Sequence, residues 1–321
     1  MTIVRLGYVA MSMELKNASP SKTMTFAQFQ KISDREAALR KLERISILNV
    51  QNTLRLLKHN AASDIHFYRF TSRLIPLANH EELRDWNYLK PLKGVLQEVG
   101  DFVKKHKMRV DFHPDHFVII NSTQKQILKN SIGTLKLHYL LLKAMGIDPT
   151  HRCVMHVGGN YKETELSLER FIDNWMEVPE KIQNMIMLEN DDTSFTLEDT
   201  LYLCEKLDIP LVFDYHHHLA HHQNANWQEH WERVVNSWRL SPLPVKMHIS
   251  SPKNDKAFRH HSDYVDSDMF FKFLYEIRGS VPQIDCMIEA KRKDEALFKL
   301  MEDIKSRDDV EVIDGSTFLL K

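Results

Sequence analysis

The chain has 321 residues, of which 43% are hydrophobic, so it can bury one large core or two smaller ones. Lysine and arginine total 43 against 44 for aspartate and glutamate, which excludes a strongly basic nucleic-acid-binding domain and leaves any DNA contact to local charge. The three cysteines exclude a disulfide framework, and no stretch approaches the roughly 20 apolar residues of a membrane span. We therefore expect a soluble, monomeric, cytoplasmic protein with no membrane partner.

Apolar and β-branched runs alternate with amphipathic stretches along the whole chain. The runs predict eight strands, at residues 3–9, 65–70, 108–112, 153–157, 186–189, 210–214, 245–249 and 286–289. The amphipathic stretches predict eight helices, at residues 34–59, 91–106, 124–145, 167–181, 196–206, 227–238, 267–277 and 294–306. This alternation predicts a single-domain (β/α)8 TIM barrel over residues 1–321, with a doubly wound sheet as the alternative. Polar residues 11–32 predict a long active-face loop after the first strand.

Six of the predicted strands end at, or run into, a potential metal ligand. These residues are His113, His156, Glu189, Asp214, His248 and Glu289. Strand ends converge on one face of a barrel, where unpaired charges are costly. Mixed imidazole and carboxylate ligands suit zinc, manganese or iron, and six ligands exceed what one ion needs. The pattern therefore predicts a cluster of two or three metal ions.

Lys246 is the sharpest local feature of the seventh predicted strand. In VKMHI it lies two residues before His248, so both side chains point into the barrel. A buried ammonium beside metal ions must pair with a carboxylate, lose its proton or be carboxylated by carbon dioxide. Pairing with a carboxylate of the site stays open beside carboxylation. In the nearby FDYHHHLAHH run, His216 and His218 are expected to be solvated, as are His221, His222 and His230.

The ordered motifs of the chain resemble those of one known family. They are RLGY, FYRFTSRLIPLANH, FHPDHF, HVGG, LEND, FDYHHH, KMHIS and IEAK, and they span Arg5 to Lys291. This series resembles the bacterial and fungal UV damage endonucleases, whose barrel is related to that of endonuclease IV. The resemblance implies a metal-dependent DNA repair endonuclease. It would cut damaged double-stranded DNA immediately 5′ of pyrimidine dimers, photoproducts and abasic sites, with downstream excision-repair enzymes as partners.

The resemblance also implies a set of metal ligands. One ion would be held by His113, His156 and Glu189. A second would be held by Glu189, Asp214, His248 and Glu289, with Glu189 as the bridge. A third would use His217 and His261. The expected ions are manganese, with zinc, magnesium or cobalt as alternatives.

Two further site residues follow from the resemblance, and one position departs from it. Carboxylated Lys246 would reach the metal cluster, and His80 of the LANH motif would lie near the phosphate, so that both join Glu189 as catalytic residues. Arg259 stands where endonuclease IV has an aspartate ligand. This substitution leaves the occupancy of the third ion site open.

The resemblance assigns lesion and DNA contacts as well. Tyr8, Ser12, His116 and Phe117 would read the lesion, although relatives carry asparagine for Ser12 and glutamine and tyrosine for His116 and Phe117. Phosphate contacts would come from Arg5, Arg69, Arg73, Lys291, Arg292 and Lys293, with plain surface charge as the alternative for the last two. A metal-dependent sugar isomerase or epimerase on the same barrel is the rival enzyme. A noncatalytic DNA-binding or metal-binding protein is the rival of another class.

Overall fold

Eight parallel strands form a barrel in the computed structural model, which describes residues 1–161 and 163–321. The strands are β1 (Thr2–Val9), β2 (Phe67–Arg69), β3 (Arg109–Asp111), β4 (Cys153–His156), β5 (Ile186–Glu189), β6 (Leu211–Asp214), β7 (Val245–Ile249) and β8 (Gln283–Ile288). They pair in the order β3-β2-β1-β8-β7-β6-β5-β4, and the circle closes where Phe112, just after β3, pairs with Cys153 of β4. The predicted (β/α)8 TIM barrel is confirmed.

Helices lie between the strands, as the alternation predicts. Those described are α1 (Phe26–Gln30), α2 (Arg35–Ala62), α3 (Leu89–Lys105), α4 (Lys125–Ala144), α5 (Thr164–Trp175), α6 (Glu180–Gln183), α7 (Leu197–Leu207), α8 (Tyr215–Ala220), α9 (Trp231–Ser237), α10 (Ser267–Ile277) and α11 (Lys293–Lys305). The predicted helix 167–181 is divided into α5 and α6, since Pro179 has no N–H to continue a helix and stands instead at the N-cap of α6. In the part of the chain described, no helix has the length and apolar character to cross a membrane.

The long loop after β1 is more ordered than its composition predicts. It contains α1, which begins with a capping box between Thr25 and Gln28. Side chains of α2 hold the rest of the loop, because Asn52 donates to the carbonyl of Ser19 at 2.8 Å and Asn49 donates to the carbonyl of Lys22 at 2.8 Å. The loop is therefore fixed against α2.

A C-terminal hairpin was not predicted. Its strands β9 (Val310–Val312) and β10 (Thr317–Leu320) are antiparallel, and β10 pairs with the first half of β1 in the register Val4↔Phe318. The short β2 pairs only with Tyr8 and Val9, so the earlier part of β1 presents a free edge, which β10 covers.

Side-chain alternation on β1 sorts residues between the interior and the helices. Arg5 bonds to Asp285 of β8, whereas Tyr8 bonds to Asn60 of α2. At Gly7 a Cβ atom would lie 2.4 Å from the carbonyl oxygen of Phe67, so only glycine lets β2 approach so closely.

Candidate metal centre

The carboxyl ends of the strands bring the six predicted ligands to one face of the barrel. His156 ends β4 beside Glu189 at the end of β5, and Asp214 ends β6 beside His248 of β7. Glu289 follows β8, and its N–H donates to the carbonyl of Ile249 at 2.9 Å. The parallel register therefore collects side chains that are far apart in sequence.

Glu189 is the centre of this cluster and is almost fully buried. Its Oε2 lies 2.9 Å from Nε2 of His113 and 3.9 Å from Nε2 of His156. Its Oε1 lies 2.7 Å from Nδ1 of His248 and 3.4 Å from Nδ1 of His217. One carboxylate thus touches or faces four imidazoles, which is the arrangement expected of a bridging ligand.

Three overlapping groups of donor atoms share Glu189, each with all its atoms within 4.8 Å of one another. The groups are His113, His156 and Glu189; Glu189, Asp214 and His217; and Glu189, His248 and Glu289. The first reproduces the set expected for one ion. The expected second set is divided, because Asp214 is grouped with His217 and not with His248 and Glu289.

The short helix α8 explains why Asp214 and His217 lie together. Asp214 is the N-cap of α8, and its Oδ1 accepts from the backbone N–H of His217 at 2.7 Å. The helix also buries His216 and His218, so the expectation that they are solvated is wrong. His216 bridges the hydroxyl of Ser250 at 2.6 Å and the carbonyl of Phe258 at 2.7 Å.

The centre carries more negative charge than the chain balances. Three carboxylates, those of Glu189, Asp214 and Glu289, share it with the single guanidinium of Arg69. Burial raises the pKa of Asp214 to about 6, and its Oδ2 has no hydrogen-bond donor in the described structure. Burial disfavours a charged imidazole at His217, yet Asp214, Glu189 and Glu289 together raise its pKa to about 9. The surplus charge is thus strong enough to hold a proton on a buried histidine.

The other buried ligands are in the charge states that metal ions require. Burial alone would raise the pKa of Glu189, but His248 and His156 hold it well below its usual range, so the group is a carboxylate. Burial lowers the pKa of His248 to about 3, which keeps this imidazole neutral. Carboxylates and neutral imidazoles are ligands for divalent metals.

Lys246 points into the barrel, as its alternation with His248 predicts, and is fully buried. Its Nζ donates to Oδ2 of Asp111 at 2.5 Å, and burial lowers its pKa to about 8. Asp111 is a site residue that the sequence analysis missed. Its signal is the same alternation, because Asp111 lies two residues before His113 in VDFH.

Arg69 lies inside the centre, where it was expected only to contact phosphate. It is buried, and it donates to Oε1 of Glu289 at 2.6 Å and to Nε2 of His248 at 2.6 Å. Its inward position on β2 places the guanidinium against two candidate ligands, so its hydrogen bonds are made within the protein. Its contact with phosphate stays a prediction, to which the structure adds contacts with two candidate metal ligands.

Three other predicted residues lie away from the centre. Tyr8 is fully buried against α2, with its hydroxyl donating to Asn60 at 2.6 Å, so it does not project over the active face. Arg5 is paired with Asp285, four residues before Glu289 on β8, and belongs to the opposite end of the barrel. His80 stacks on Phe26 at 3.8 Å between ring centroids and lies outside the ligand groups. The expectations for Tyr8 and Arg5 are corrected by where β1 places these side chains, and the expected position of His80 near the phosphate stays a prediction.

The remaining predicted DNA contacts lie on loops of the active face. Ser12 follows β1 and donates its hydroxyl to Asp294, while Lys291 is exposed after β8. His116 and Phe117 are exposed after β3, with ring centroids 4.2 Å apart, and Phe117 is 71% exposed. His116 also lines a cavity of about 180 Å³ together with His156 and Gly158. The loop after β3, which carries His116, and the candidate ligand His156 therefore border one cavity.

Comparisons with known proteins agree with this geometry. The profile of the family described as UV-endonuclease UvdE matches residues 4–319. The chain is 54% identical, over 98% of both chains, to a UV DNA damage endonuclease from Halalkalibacterium halodurans. The solved structure of SacUVDE superposes with a TM-score of 0.81 at 29% identity and covers 94% of this chain and 98% of its own. Endonuclease IV from Thermus thermophilus gives a TM-score of 0.53 at 10% identity, over 94% of this chain and 100% of its own, and shares the fold.

Proposed function

The chain belongs to the UV-endonuclease UvdE family and is a DNA endonuclease for UV damage, and from this premise we propose that it cuts the backbone through a metal centre built on Glu189. The observation that carries this proposal is the single buried carboxylate facing four imidazoles. The family match over residues 4–319 favours this activity over the sugar isomerase or epimerase alternative.

The residues present fit divalent metal ions. Two buried atoms of the centre, Oδ2 of Asp214 and Nδ1 of His156, have no hydrogen-bond partner among the described residues, and an unsatisfied carboxylate oxygen is costly unless a cation satisfies it. Three carboxylates against one guanidinium leave a negative surplus, which favours the binding of divalent cations. Mixed oxygen and nitrogen donors suit manganese, with zinc, magnesium and cobalt as alternatives.

Imidazole tautomers indicate how the ions would be held. Nδ1 of His113 donates to the carbonyl of Pro114 at 2.9 Å, and Nδ1 of His217 donates to that of Asn190 at 3.0 Å. Nδ1 of His261 donates to the carbonyl of Glu289 at 2.7 Å. The rings of His113 and His261 therefore present a bare Nε2 as a ligand, and that of His217 would do so once a bound ion displaces its second proton.

We assign the ions from these donors. His113, His156 and Glu189 would hold the first, and Glu189, His248 and Glu289 with Asp214 the second. His217 and His261, whose ring centroids are 6.3 Å apart, would hold a third. Arg259 is exposed and contributes no ligand, so two imidazoles and the neighbouring carboxylate of Asp214 make this site the weakest of the three.

Bound divalent ions supply nucleophile activation and stabilise the leaving oxygen in phosphodiester hydrolysis. The chain's own groups keep the site ready for that chemistry. Arg69 fixes Glu289 and His248, so that these ligands do not turn when substrate arrives. The buried walls around Glu189 limit water and strengthen every charge interaction with the phosphate.

Lys246 is proposed to be carboxylated in the active enzyme. Its lowered pKa makes the neutral amine accessible, and the amine nitrogen forms a bond to the carbon of carbon dioxide while one C–O π bond breaks and a proton leaves. The product is an anionic side chain on the strand that also carries His248. In the unmodified chain Asp111 holds the ammonium instead.

Lesion recognition is proposed to use His116 and Phe117. Damaged nucleotides stack poorly and are cheaper to extrude than normal pairs, and exposed aromatic rings can take the place of the lost stacking partners. The cut would fall immediately 5′ of pyrimidine dimers, photoproducts and abasic sites. We propose that the protein acts as a monomer in the cytoplasm and leaves its nick to excision-repair enzymes.

Incision of a labelled, irradiated duplex tests this function. We expect a nick immediately 5′ of the lesion, loss of nicking after chelation and recovery with manganese. The matched unirradiated duplex is the control and should stay intact. Nicking that survives chelation would contradict the metal mechanism, and a cut elsewhere in the damaged strand would contradict the proposed position.

A further inference from the structure

Tyr161 is an exposed aromatic residue in a strained backbone conformation on the loop after β4. Its φ angle is 50°, in the left-handed region that bulky residues rarely occupy, and its side chain is 44% exposed. Strain of this kind persists only where the surroundings enforce it, and it concentrates at functional sites. The residues around Tyr161 show how the strain is maintained.

The loop is tied to the neighbouring loop after β3 by Asn121, which is fully buried. Nδ2 of Asn121 donates to the carbonyl of Gly159 at 2.8 Å, and its Oδ1 accepts from the N–H of Gly159 at 3.0 Å. A Cβ atom at Gly159 would lie 3.0 Å from the ring of Tyr161, so glycine allows the ring to lie against the backbone. The ring is therefore held in place before any ligand binds.

Arg170 of α5 supports the same ring from another direction. Its guanidinium carbon lies 5.3 Å from the centroid of Tyr161, within cation–π range. Its Nη1 donates to the carbonyl of Asn121 at 3.5 Å. A positive charge thus lies over one face of the aromatic ring, and proteins that bind single-stranded nucleic acids combine such rings for base stacking with such charges for phosphate contact.

The loop that carries Tyr161 also borders the metal centre. Gly158 lines the cavity that His156 and His116 share. Asn160 donates to the carbonyl of Ser194, another lining residue, at 2.9 Å. Tyr161 does not itself line this cavity, but Gly158 of its loop does and Asn160 is anchored to a residue that does, so the loop joins Tyr161 to the cavity wall.

We propose that Tyr161 is a specificity residue that stacks on a nucleobase exposed in distorted DNA, with Arg170 placed for the adjacent phosphate. This inference rests on the proposed function, because it takes DNA to be the substrate of this face. A ring braced in advance loses little freedom on binding, so more of the stacking energy is available for affinity. None of the motifs that carry the family resemblance includes Tyr161.

The experiment compares two labelled duplexes of one flanking sequence, fully paired or carrying a short mismatch bubble, by fluorescence anisotropy at fixed salt. Wild type is compared with Tyr161→Ala, Tyr161→Phe and the control Tyr202→Ala. Tyr202 is 45% exposed on α7, so it matches Tyr161 in exposure but not in position. The bubble supplies unstacked bases without any UV lesion.

We expect Tyr161→Ala to weaken bubble binding about tenfold and to change binding of the paired duplex less than about twofold. Tyr161→Phe and Tyr202→Ala should bind as wild type does. With irradiated duplex, Tyr161→Ala should raise KM about tenfold and keep kcat within about twofold, which a loss of loop support for the metal ligands would not do.

Equal selectivity in wild type and Tyr161→Ala would overturn the inference, as would a Tyr161→Phe variant as weak as Tyr161→Ala. The proposed function fails separately, by the absence of nicking with wild type on irradiated duplex. Binding to the mismatch bubble tests the role of Tyr161 whether or not the wild type nicks irradiated duplex.

Discussion

The two ends of the barrel interior both bury charged side chains, but they balance them differently. At the amino end Asp285 accepts from Arg5 at 2.9 Å and from Arg109 at 2.7 Å, and the guanidinium of Arg109 also lies over the rings of Phe67 and Trp238. At the carboxyl end three carboxylates lie against the one guanidinium of Arg69, and Oδ2 of Asp214 has no donor in the part of the chain described. The amino-end cluster therefore keeps a surplus of guanidinium, with Nε and Nη2 of Arg109 lacking a hydrogen-bond acceptor among the described residues, whereas the carboxyl-end cluster keeps a surplus of carboxylate, for which we propose metal ions.

This difference separates structural from functional ionisable clusters. Both are buried and both contain acids, so burial and residue type alone do not distinguish them. The feature that differs is the sign of the remaining charge. Surplus carboxylate beside imidazoles suits a metal ion, whereas surplus guanidinium over aromatic rings is stabilised within the fold.

The largest expected effect follows from breaking the carboxyl-end cluster. Glu189→Ala removes the carboxylate that all three ligand groups share, so nearly all incision of irradiated duplex should be lost. Thermal unfolding of the variant measures the accompanying loss of stability, so that incision can be compared per folded molecule. Glu205→Ala, at an exposed ion pair with Arg233, is the control and should keep full activity. Retained incision by the Glu189 variant would show that the cluster is not the centre of the chemistry.

Breaking the amino-end cluster should have the opposite signature. Asp285→Ala leaves the buried guanidinium of Arg109 and the partly buried one of Arg5 without their carboxylate, which typically costs about 3–5 kcal/mol of unfolding free energy. Urea denaturation measures this loss. Incision per folded molecule should stay within about twofold of wild type. A loss of incision per folded molecule well beyond twofold would show that the amino-end cluster also serves the chemistry, which would contradict the distinction between the two ends.

Lys246 lies between the two clusters and sharpens the comparison. If it is carboxylated and serves the metal centre, Lys246→Met should lower incision by about 10- to 100-fold, as loss of other supporting metal-site groups does. Mass spectrometry under native conditions should show the added carbon dioxide on wild type alone. An unmodified lysine, or full activity of the variant, would make the pair with Asp111 purely structural.

The smallest expected effect is on the pH dependence of stability. Burial alone would raise the pKa of Asp285, but Arg109 and Arg5 hold it below 3.8. A depressed pKa contributes stability above the unfolded value, and this is lost as pH falls through the folded value. Wild type should therefore lose stability more steeply below about pH 4 than Asp285→Asn does. Equal slopes in urea denaturation would mean that Asp285 is not the group responsible.

The sequence predicts where the candidate ligands lie because the carboxyl ends of barrel strands converge on one face. The positions of His156, Glu189 and Asp214 at that face therefore follow from counting strands. The grouping of Asp214 with His217 does not, because α8 lies in a histidine run with no apolar periodicity. Local helix formation there decides the ligand geometry.

The sequence-based predictions are wrong for residues and strands whose contacts are with distant parts of the chain. Arg5 reads as a basic residue of an active-site motif, yet its partner Asp285 is 280 residues away, and only the β1–β8 register brings the two together. Side chains alternate along β1, so Gly7 points into the barrel and the next residue, Tyr8, points outward against α2. The C-terminal hairpin was missed because the short β2 leaves an edge that no local pattern reveals.

Metal content measured on the purified protein tests the central claim most directly. We expect two to three divalent ions per chain in wild type, less than one in Glu189→Ala, and the wild-type number in Asp285→Ala, because only the carboxyl-end cluster requires cations. Inductively coupled plasma mass spectrometry on folded, gel-filtered protein gives these counts. Wild type that holds less than one ion and still incises irradiated duplex after chelation would contradict the account.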